Sequence, residues 1–398
     1  MTIPLIIVSD APNMQSGLAR ISRDLTNFLN INSDKLGIRV SQLGMNYDGS
    51  PWPWRVYDIT DTKQWGAKDI ENVLAWEAEG YPSAIVLTIW DPYRCYSISE
   101  AVRNAGADLW GYFPIDCENI HGKLSGVTLE AVKRYDRVLA YGMYGAGVLK
   151  SSLGRSIQYL PHGLNFNTSR KCPLRRELLQ ATVLPKQFLR HDVLIGCVAT
   201  NQPRKDWALV FNAVDILRKR YRQKYNKTVG LWAHTDLLIN HWSFAQLAED
   251  FDMANDLAIT QEGLTDNDLY TAYAICHATI HPGLGEGFGY PIVESLMVGT
   301  PPVHGSYAGG AELITDANLL VEPVTYRTEG LFTSQRPVFD PVKFADKLEY
   351  AVQWKLEDRE LLYAYLKATV SNLNWNYLWP RWNSWFKQGI EAIKRREE

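Results

Sequence analysis

Short runs of β-branched and aliphatic residues alternate along the chain with longer stretches whose apolar positions recur every three or four residues. In the first 160 residues, Ile3 to Val8, Ala84 to Ile89 and Val138 to Tyr141 read as buried strands. Each precedes a helical pattern: Leu18 to Leu29, Ser97 to Ala105 and Gly145 to Leu153. Parallel strands need a crossover helix between them, so the alternation predicts an α/β fold with a doubly wound sheet. The pattern then restarts. Val193 to Ala199, Val229 to Ala233, Ala278 to His281 and Pro302 to His304 read as a second set of strands, with a helix from Trp207 to Tyr221 among them. Two Rossmann-like halves follow, 1–165 and 190–373, joined by a polar, basic segment near residues 160–190 that Pro161 and Gly163 punctuate.

Beyond Val321 the second alternation is complete, leaving helices from Pro341 to Thr369 and a tail, 374–398. In the tail, Trp375, Trp379, Trp382, Trp385 and Phe386 recur at helical spacing and make one strongly apolar face. Such a face needs a partner surface. Because the tail is surplus to the second sheet, it is expected to return to the first half; packing on its own half or a dimer seam are the competing readings.

A length of 398 residues exceeds one ordinary core and suits two. With 46% hydrophobic and 21% charged residues the composition is that of a folded globular chain. A net charge of −3 supplies no global attraction to nucleic acid. The five cysteines lie far apart without a C-x-x-C pair, which fits a reducing cytoplasm better than a disulfide framework or a zinc site. No stretch approaches the length of a membrane span, and the N-terminus lacks the pattern of an export signal. A cytoplasmic protein is expected, in the host cytoplasm if the chain is viral.

The densest chemistry lies between His281 and Pro301. A strand ends, Gly285, Gly287 and Gly289 follow in a turn around Glu286 and Phe288, and Pro291 suits the start of a helix that Gly299 suits the end of. Glycines let backbone N–H groups approach a ligand, and a helix N-terminus favours an anion, so a phosphate-bearing molecule is the natural occupant. Glu286 on the turn and Glu294 on the helix are placed to accept hydrogen bonds from sugar or ribose hydroxyls in one crevice. Arg204 and Lys205 follow the strand from Val193 and precede a helix, where cations are unfavourable unless an anion is present. In the first half Gly17 opens a helix after the first strand, and Asp91 and Asp116 follow strand ends, where ligands of α/β sheets bind. As ordinary structure, both aspartates are helix caps. Asp266-Asn267-Asp268 has a metal-binding spacing but reads as a capping box with Thr265, and the histidines have no metalloenzyme spacing, so no metal is expected. The basic run Arg218 to Lys224 reads as a solvated helix end, and Trp52-Pro53-Trp54 as exposed aromatics able to stack on a sugar or base.

The segment from Glu286 to Glu294 resembles the E-x7-E motif of the family-four retaining glycosyltransferases of the GT-B fold, down to the following Gly299-Thr300-Pro301. Gly309-Gly310-Ala311-Glu312 is similar to that family's Gly-Gly-x-x-E turn, and Pro161-His162-Gly163-Leu164-Asn165 to its interdomain segment. Ala199 to Asp206 resembles the loop whose Arg and Lys hold the donor diphosphate: Lys205 matches the Lys, while the usual Arg falls at Thr200 and Arg204 stands in for it. Ser9 to Leu18 resembles the first strand and glycine loop, and Asp116 stands where the family often has His.

The resemblance implies two Rossmann-like domains facing a deep interdomain cleft, the first for the acceptor and the second for the nucleotide-sugar donor. It implies metal-independent, retaining transfer from a nucleotide-diphosphate sugar, a UDP-sugar by preference, to an acceptor hydroxyl. Asp116, Asp91 and Glu286 would carry the chemistry. Gly17, Arg204, Lys205, Gly287, Phe288, Gly289 and Glu294 would bind the donor. The acceptor stays open among a glycan, a small molecule and modified DNA. The alternatives are a bacteriophage-type DNA glycosyltransferase acting on a hydroxymethylated base, a sugar epimerase on the same fold, and a non-catalytic sugar-nucleotide or glycan-binding protein.

Overall fold

The computed structural model describes residues 2–164, 172–237, 241–261 and 263–398. Contacts divide the chain into two units. The first comprises Met1–Asn165, Thr328–Gln335 and Leu373–Glu398, and the second Phe166–Arg327 and Arg336–Asn372.

In the first unit the strands are β1 (Ile3–Asp10), β2 (Ile38–Met45), β3 (Arg55–Asp58), β4 (Ile85–Thr88), β5 (Asp108–Phe113), β6 (Arg137–Ala140) and β7 (Gln158–Tyr159). Helices α1 (Gly17–Ile31), α2 (Ser33–Leu36), α3 (Ala67–Glu77), α4 (Cys95–Asn104), α5 (Gly126–Lys133) and α6 (Met143–Leu153) lie between them. Among the described residues the sheet order is β3-β2-β1-β4-β5-β6-β7, parallel throughout. Helices on both faces explain why β1 is buried along nearly its whole length and reads as one apolar run. Ser16 caps α1, its hydroxyl oxygen accepting from Ala19 N at 3.0 Å.

The second unit repeats the plan with α7 (Arg175–Ala181), β8 (Val193–Val198), α8 (Trp207–Tyr225), β9 (Val229–His234), α9 (Phe244–Asp250), β10 (Leu257–Thr260), α10 (Asp266–Ile275), β11 (Ala278–His281), α11 (Tyr290–Met297), β12 (Pro302–Gly305), α12 (Ala308–Ala311) and β13 (Leu320–Val321). Its described strands run in the order β10-β9-β8-β11-β12-β13. A two-stranded ribbon, β14 (Thr325–Glu329) with β15 (Ser334–Val338), precedes α13 (Pro341–Glu357) and α14 (Arg359–Val370).

The last helix, α15 (Trp375–Glu397), belongs to the first unit. Trp375 and Trp379 meet Phe28 of α1 at 5.3 and 5.5 Å, Trp382 meets Tyr112 of β5 at 4.9 Å, and Trp385 meets Trp110 at 5.2 Å. Two polar contacts accompany the rings: Trp382 Nε1 donates to Pro161 O at 3.1 Å, and Arg396 pairs with Asp108 at 2.6 Å. Where the chain leaves and re-enters this unit, Leu164 N donates to Leu373 O at 2.9 Å, and Leu164 forms a parallel bridge with Asn374.

Three expectations change. The segment expected as a linker, 160–190, contributes to a core at its C-terminal end: α7 and the turn Phe188–Arg190 put Leu178, Leu184 and Phe188 into the second core beside Ala272 and Tyr273. Asn165 and the rest of 165–171 lie outside the described residues. Trp54 is no exposed stacking platform, because it is buried and its indole N–H donates to Gln42 Oε1 at 3.0 Å. The basic run of α8 is neutralised rather than merely solvated: Arg218 pairs with Asp215 and Asp256, Arg220 with Asp346 and Lys224 with Glu349.

Candidate functional site

In a doubly wound sheet the two strands flanking the reversal of strand order send their following loops apart, leaving a crevice at their carboxyl ends. In the second unit that point lies between β8 and β11, which pair through Ile195 with Ala278 and Gly196 with Thr279. The loops that follow them carry Arg204 and Lys205 on one side and the glycine turn from Gly283 to Gly289 on the other.

Hydrogen bonds to main-chain carbonyls hold the two loops together. Leu284 N donates to Arg204 O at 2.7 Å, and Arg204 Nη1 donates to Gly285 O at 3.0 Å. A third anchor comes from Arg336, whose Nη1 donates to Leu284 O at 3.2 Å. Behind them, the loop after β8 is tied to Trp242: Asn201 Nδ2 donates to Trp242 O at 3.0 Å and Trp242 N returns a bond to Asn201 Oδ1 at 2.9 Å. The glycine turn in turn rests on the Gly309-Gly310 turn. Gly309 N donates to Glu286 O at 2.9 Å, and a β-carbon at Gly309 would overlap Gly287 O. Gly289, with φ at +104°, caps α11 in a conformation that favours glycine.

This clamp sets Lys205 Nζ against Glu286 Oε2 as an ion pair, with Arg204 Nη1 3.8 Å from the same oxygen. Burial pushes the Glu286 carboxyl up, but Lys205 and Arg204 outweigh it and hold the group down at about 2. The cations at the start of α8 therefore have their anion within the protein. Glu286 and Lys205 line a small cavity with His281, Gly283, Gly289, Ile292 and His304. Burial, with His304 and Lys205 nearby, lowers His281 to about 3, and burial also lowers His304, so both rings are neutral at pH 7.

Glu294 departs from expectation. It falls on the second turn of α11, is buried, and accepts a hydrogen bond from Tyr273 Oη of α10 at 3.1 Å, and it does not line the cavity that Glu286 lines. Phe288 is also buried, its ring 5.8 Å from that of Tyr290. His304 was not singled out by sequence reasoning. Its signal was a titratable side chain within a short strand that is buried throughout.

In the first unit the strand order reverses between β1 and β4. Gly17 is the first residue of α1, after β1, and Asp91 follows β4. Asp10, at the end of β1, fixes this region: its carboxylate accepts from Ser16 Oγ at 2.5 Å and from Trp90 Nε1 at 2.9 Å. Asp91 Oδ2 lies 3.6 Å from Arg94 Nε, and that guanidinium sits over the Trp65 ring at 4.6 Å. Asp116 follows β5, the next strand of the sheet, and is half-buried. Loops of three neighbouring strands thus carry Gly17, Asp91 and Asp116.

Residues 185–329, from the approach to β8 through β14, match the family model described as glycosyl transferases group 1. The chain is 26% identical over 140 residues to the serotype-specific mannosyltransferase WbdA of Escherichia coli, a match covering 35% of this chain and 17% of WbdA. It is likewise 26% identical over 150 residues to the O-antigen chain mannosyltransferase B of Escherichia coli, covering 35% of this chain and 36% of that one. These matches span well under two thirds of either relative. The crystal structure of Anabaena Alr3699/HepE in complex with UDP-glucose superposes with a TM-score of 0.67 at 13% identity, covering 99% of this chain and 100% of that one. The fold is that of the GT-B glycosyltransferases, two Rossmann-like parallel sheets.

Proposed function

We propose that this protein is a metal-independent, retaining glycosyltransferase that moves a sugar from a nucleotide-diphosphate donor to an acceptor hydroxyl. The observation that carries this reading is the cluster of Lys205, Arg204 and Glu286 beside the glycine turn at the N-terminus of α11, where the sheet order reverses. A diphosphate needs cations and backbone N–H groups, and a sugar needs a carboxylate to accept from its hydroxyls. The cluster has both. The group 1 match over the same segment supports the reading, and the UDP-glucose in Alr3699/HepE makes a UDP-sugar the first donor to test.

In the reaction, the bond between the anomeric carbon and the diphosphate oxygen breaks and its electron pair leaves on the nucleoside diphosphate. A new bond forms to the acceptor oxygen, whose proton passes to the departing diphosphate. Charge on the leaving diphosphate grows as the bond lengthens, and Lys205 with the N-terminus of α11 would stabilise it in place of a metal. Arg204 is assigned mainly to holding the turn through Gly285 O. Glu286 would orient the sugar, and Glu294 the nucleotide. Gly17, Asp91 and Asp116 are assigned to the acceptor and to the reacting sugar. The mannosyltransferase relatives favour a hexose as the transferred group and a glycan as the acceptor. The five free thiols suit a cytoplasmic location.

A thermal-stabilisation screen of nucleoside diphosphates and their sugars tests the reading. A donor at about 100 times its dissociation constant adds about 2.7 kcal/mol to stability. If no nucleotide sugar raises the melting temperature, the assignment fails.

A further inference from the structure

His304 stands at the carboxyl end of β12, fully enclosed at 1% exposure, and its ring is oriented by one bond. Nδ1 lies 2.5 Å from His281 O. A carbonyl only accepts, so Nδ1 carries the proton, and in the neutral ring Nε2 is left with a lone pair. Burial and the nearby Lys205 charge keep the ring neutral, against the opposite pull of that same carbonyl and of Glu286.

Nε2 is buried and has no hydrogen-bond partner among the described residues. A buried acceptor left so costs about 1–3 kcal/mol, and native proteins rarely tolerate one without a purpose. Its surroundings keep it uncovered. Gly310 lies in front of it, and a β-carbon there would sit 2.5 Å from Nε2. The same ring lines the cavity that Lys205 and Glu286 line, about 20 Å³ in volume. That is room for one oxygen-sized group at its floor.

The chemistry of Nε2 selects the group. A lone pair repels phosphate oxygens, which at neutral pH are acceptors only, and it attracts a hydroxyl. Lys205 has the opposite preference. We propose that His304 is a specificity residue of the donor site, accepting at Nε2 a hydrogen bond from one hydroxyl of the transferred sugar. This rests on the proposed glycosyl transfer and deepens it: the donor must be a sugar hydroxylated at that position, and a deoxy sugar there leaves the acceptor unsatisfied. Sites built to bond a hydroxyl discriminate strongly against analogues that lack it.

The test compares the wild type with His304→Phe, which keeps an aromatic ring but no acceptor, and His304→Gln, whose amide oxygen can take the place of Nε2. Binding is measured for the nucleotide sugar that most stabilises the wild type, drawn from UDP-glucose, UDP-galactose, UDP-N-acetylglucosamine and GDP-mannose, and for the matching free nucleoside diphosphate. We expect His304→Phe to weaken the nucleotide sugar at least tenfold and to leave the free diphosphate within twofold, with His304→Gln restoring most of the loss. Equal losses for both ligands, or none for either, overturn the proposal. Should the Phe variant not fold, the wild type is titrated with donors deoxygenated at each sugar position in turn. One position must then cost tenfold or more, and a flat series is the overturning result. A wild type that binds no nucleotide or nucleotide sugar removes the glycosyl-transfer reading itself, whereas ordinary binding with an indifferent His304 removes only this inference.

Discussion

Lys205 Nζ and Glu286 Oε2 are ion-paired in the second unit, joining the loop after β8 to the glycine turn after β11. The pair brings two partly buried charges of opposite sign together. It also means that an incoming diphosphate and Glu286 draw on one cation.

Replacement of Lys205 by alanine is expected to lower kcat by 10-fold or more while changing donor affinity less, because charge on the leaving group grows toward the transition state. Steady-state kinetics with the identified donor decide this. A raised KM with unchanged kcat would make Lys205 a ground-state binder.

The same pair predicts an acid limb of stability. The folded Glu286 carboxyl is held at about 2, below its ordinary 4.5. A depressed carboxyl contributes stability that is present above the unfolded value and lost as pH falls through the folded one. Between pH 5 and 2.5 the melting temperature of wild type should therefore fall more steeply than that of Glu286→Gln. Parallel curves would remove Glu286 as a cause.

At Glu294 two effects separate. Glu294→Ala leaves the buried Tyr273 hydroxyl without this acceptor and should cost about 1–3 kcal/mol in denaturant unfolding. Glu294→Gln keeps an acceptor oxygen and should be nearly as stable as wild type. Both variants are expected to bind the nucleotide sugar more weakly. Unaltered donor affinity in the folded Gln variant would leave Glu294 a purely structural role.

If cations of the protein do the work of a metal, turnover should survive exhaustive treatment with a chelator. Activity lost with EDTA and restored by magnesium or manganese would contradict that assignment.

Gly389 offers a test whose sign is opposite to helix propensity. Alanine at an exposed helical glycine gains up to about 1 kcal/mol. Here a β-carbon would overlap Arg137 Nη1 and the Trp110 ring, which α15 packs against. Gly389→Ala should thus destabilise the first unit by about 1–3 kcal/mol. A stabilised variant would mean that the packing gives way easily.

Local chemistry was readable where one segment contained its own explanation. The strand, glycine turn, Glu286 and the start of α11 are contiguous, and so are the Thr265 cap of α10 and the periodic tryptophans of α15. Relations across the chain were not readable. No local pattern shows that Trp54 reaches Gln42, that Tyr273 covers Glu294, or that Glu286 is the anion for Lys205, 81 positions away. The segment after Cys172 was mistaken for linker because its charges are local, whereas the burial of Leu178, Leu184 and Phe188 depends on α10. His304 escaped notice for the same reason: its significance comes from Gly310 and His281, not from its neighbours in β12.

The bridge between Leu164 and Asn374 has a topological consequence. The main chain ahead of the second unit and the main chain that follows it lie one hydrogen bond apart, 2.9 Å from Leu164 N to Leu373 O. In the terms of domain insertion, the first unit is a host interrupted after Asn165 and resumed at Leu373, with the short stretch Thr328–Gln335 also counted to it. The outgoing and the final returning segment therefore share one buried seam. Gly163 stands in it: a β-carbon there would lie 2.8 Å from Trp375 N and 2.9 Å from Leu373 O, so one added methyl group on the outgoing strand would strain the returning strand as well.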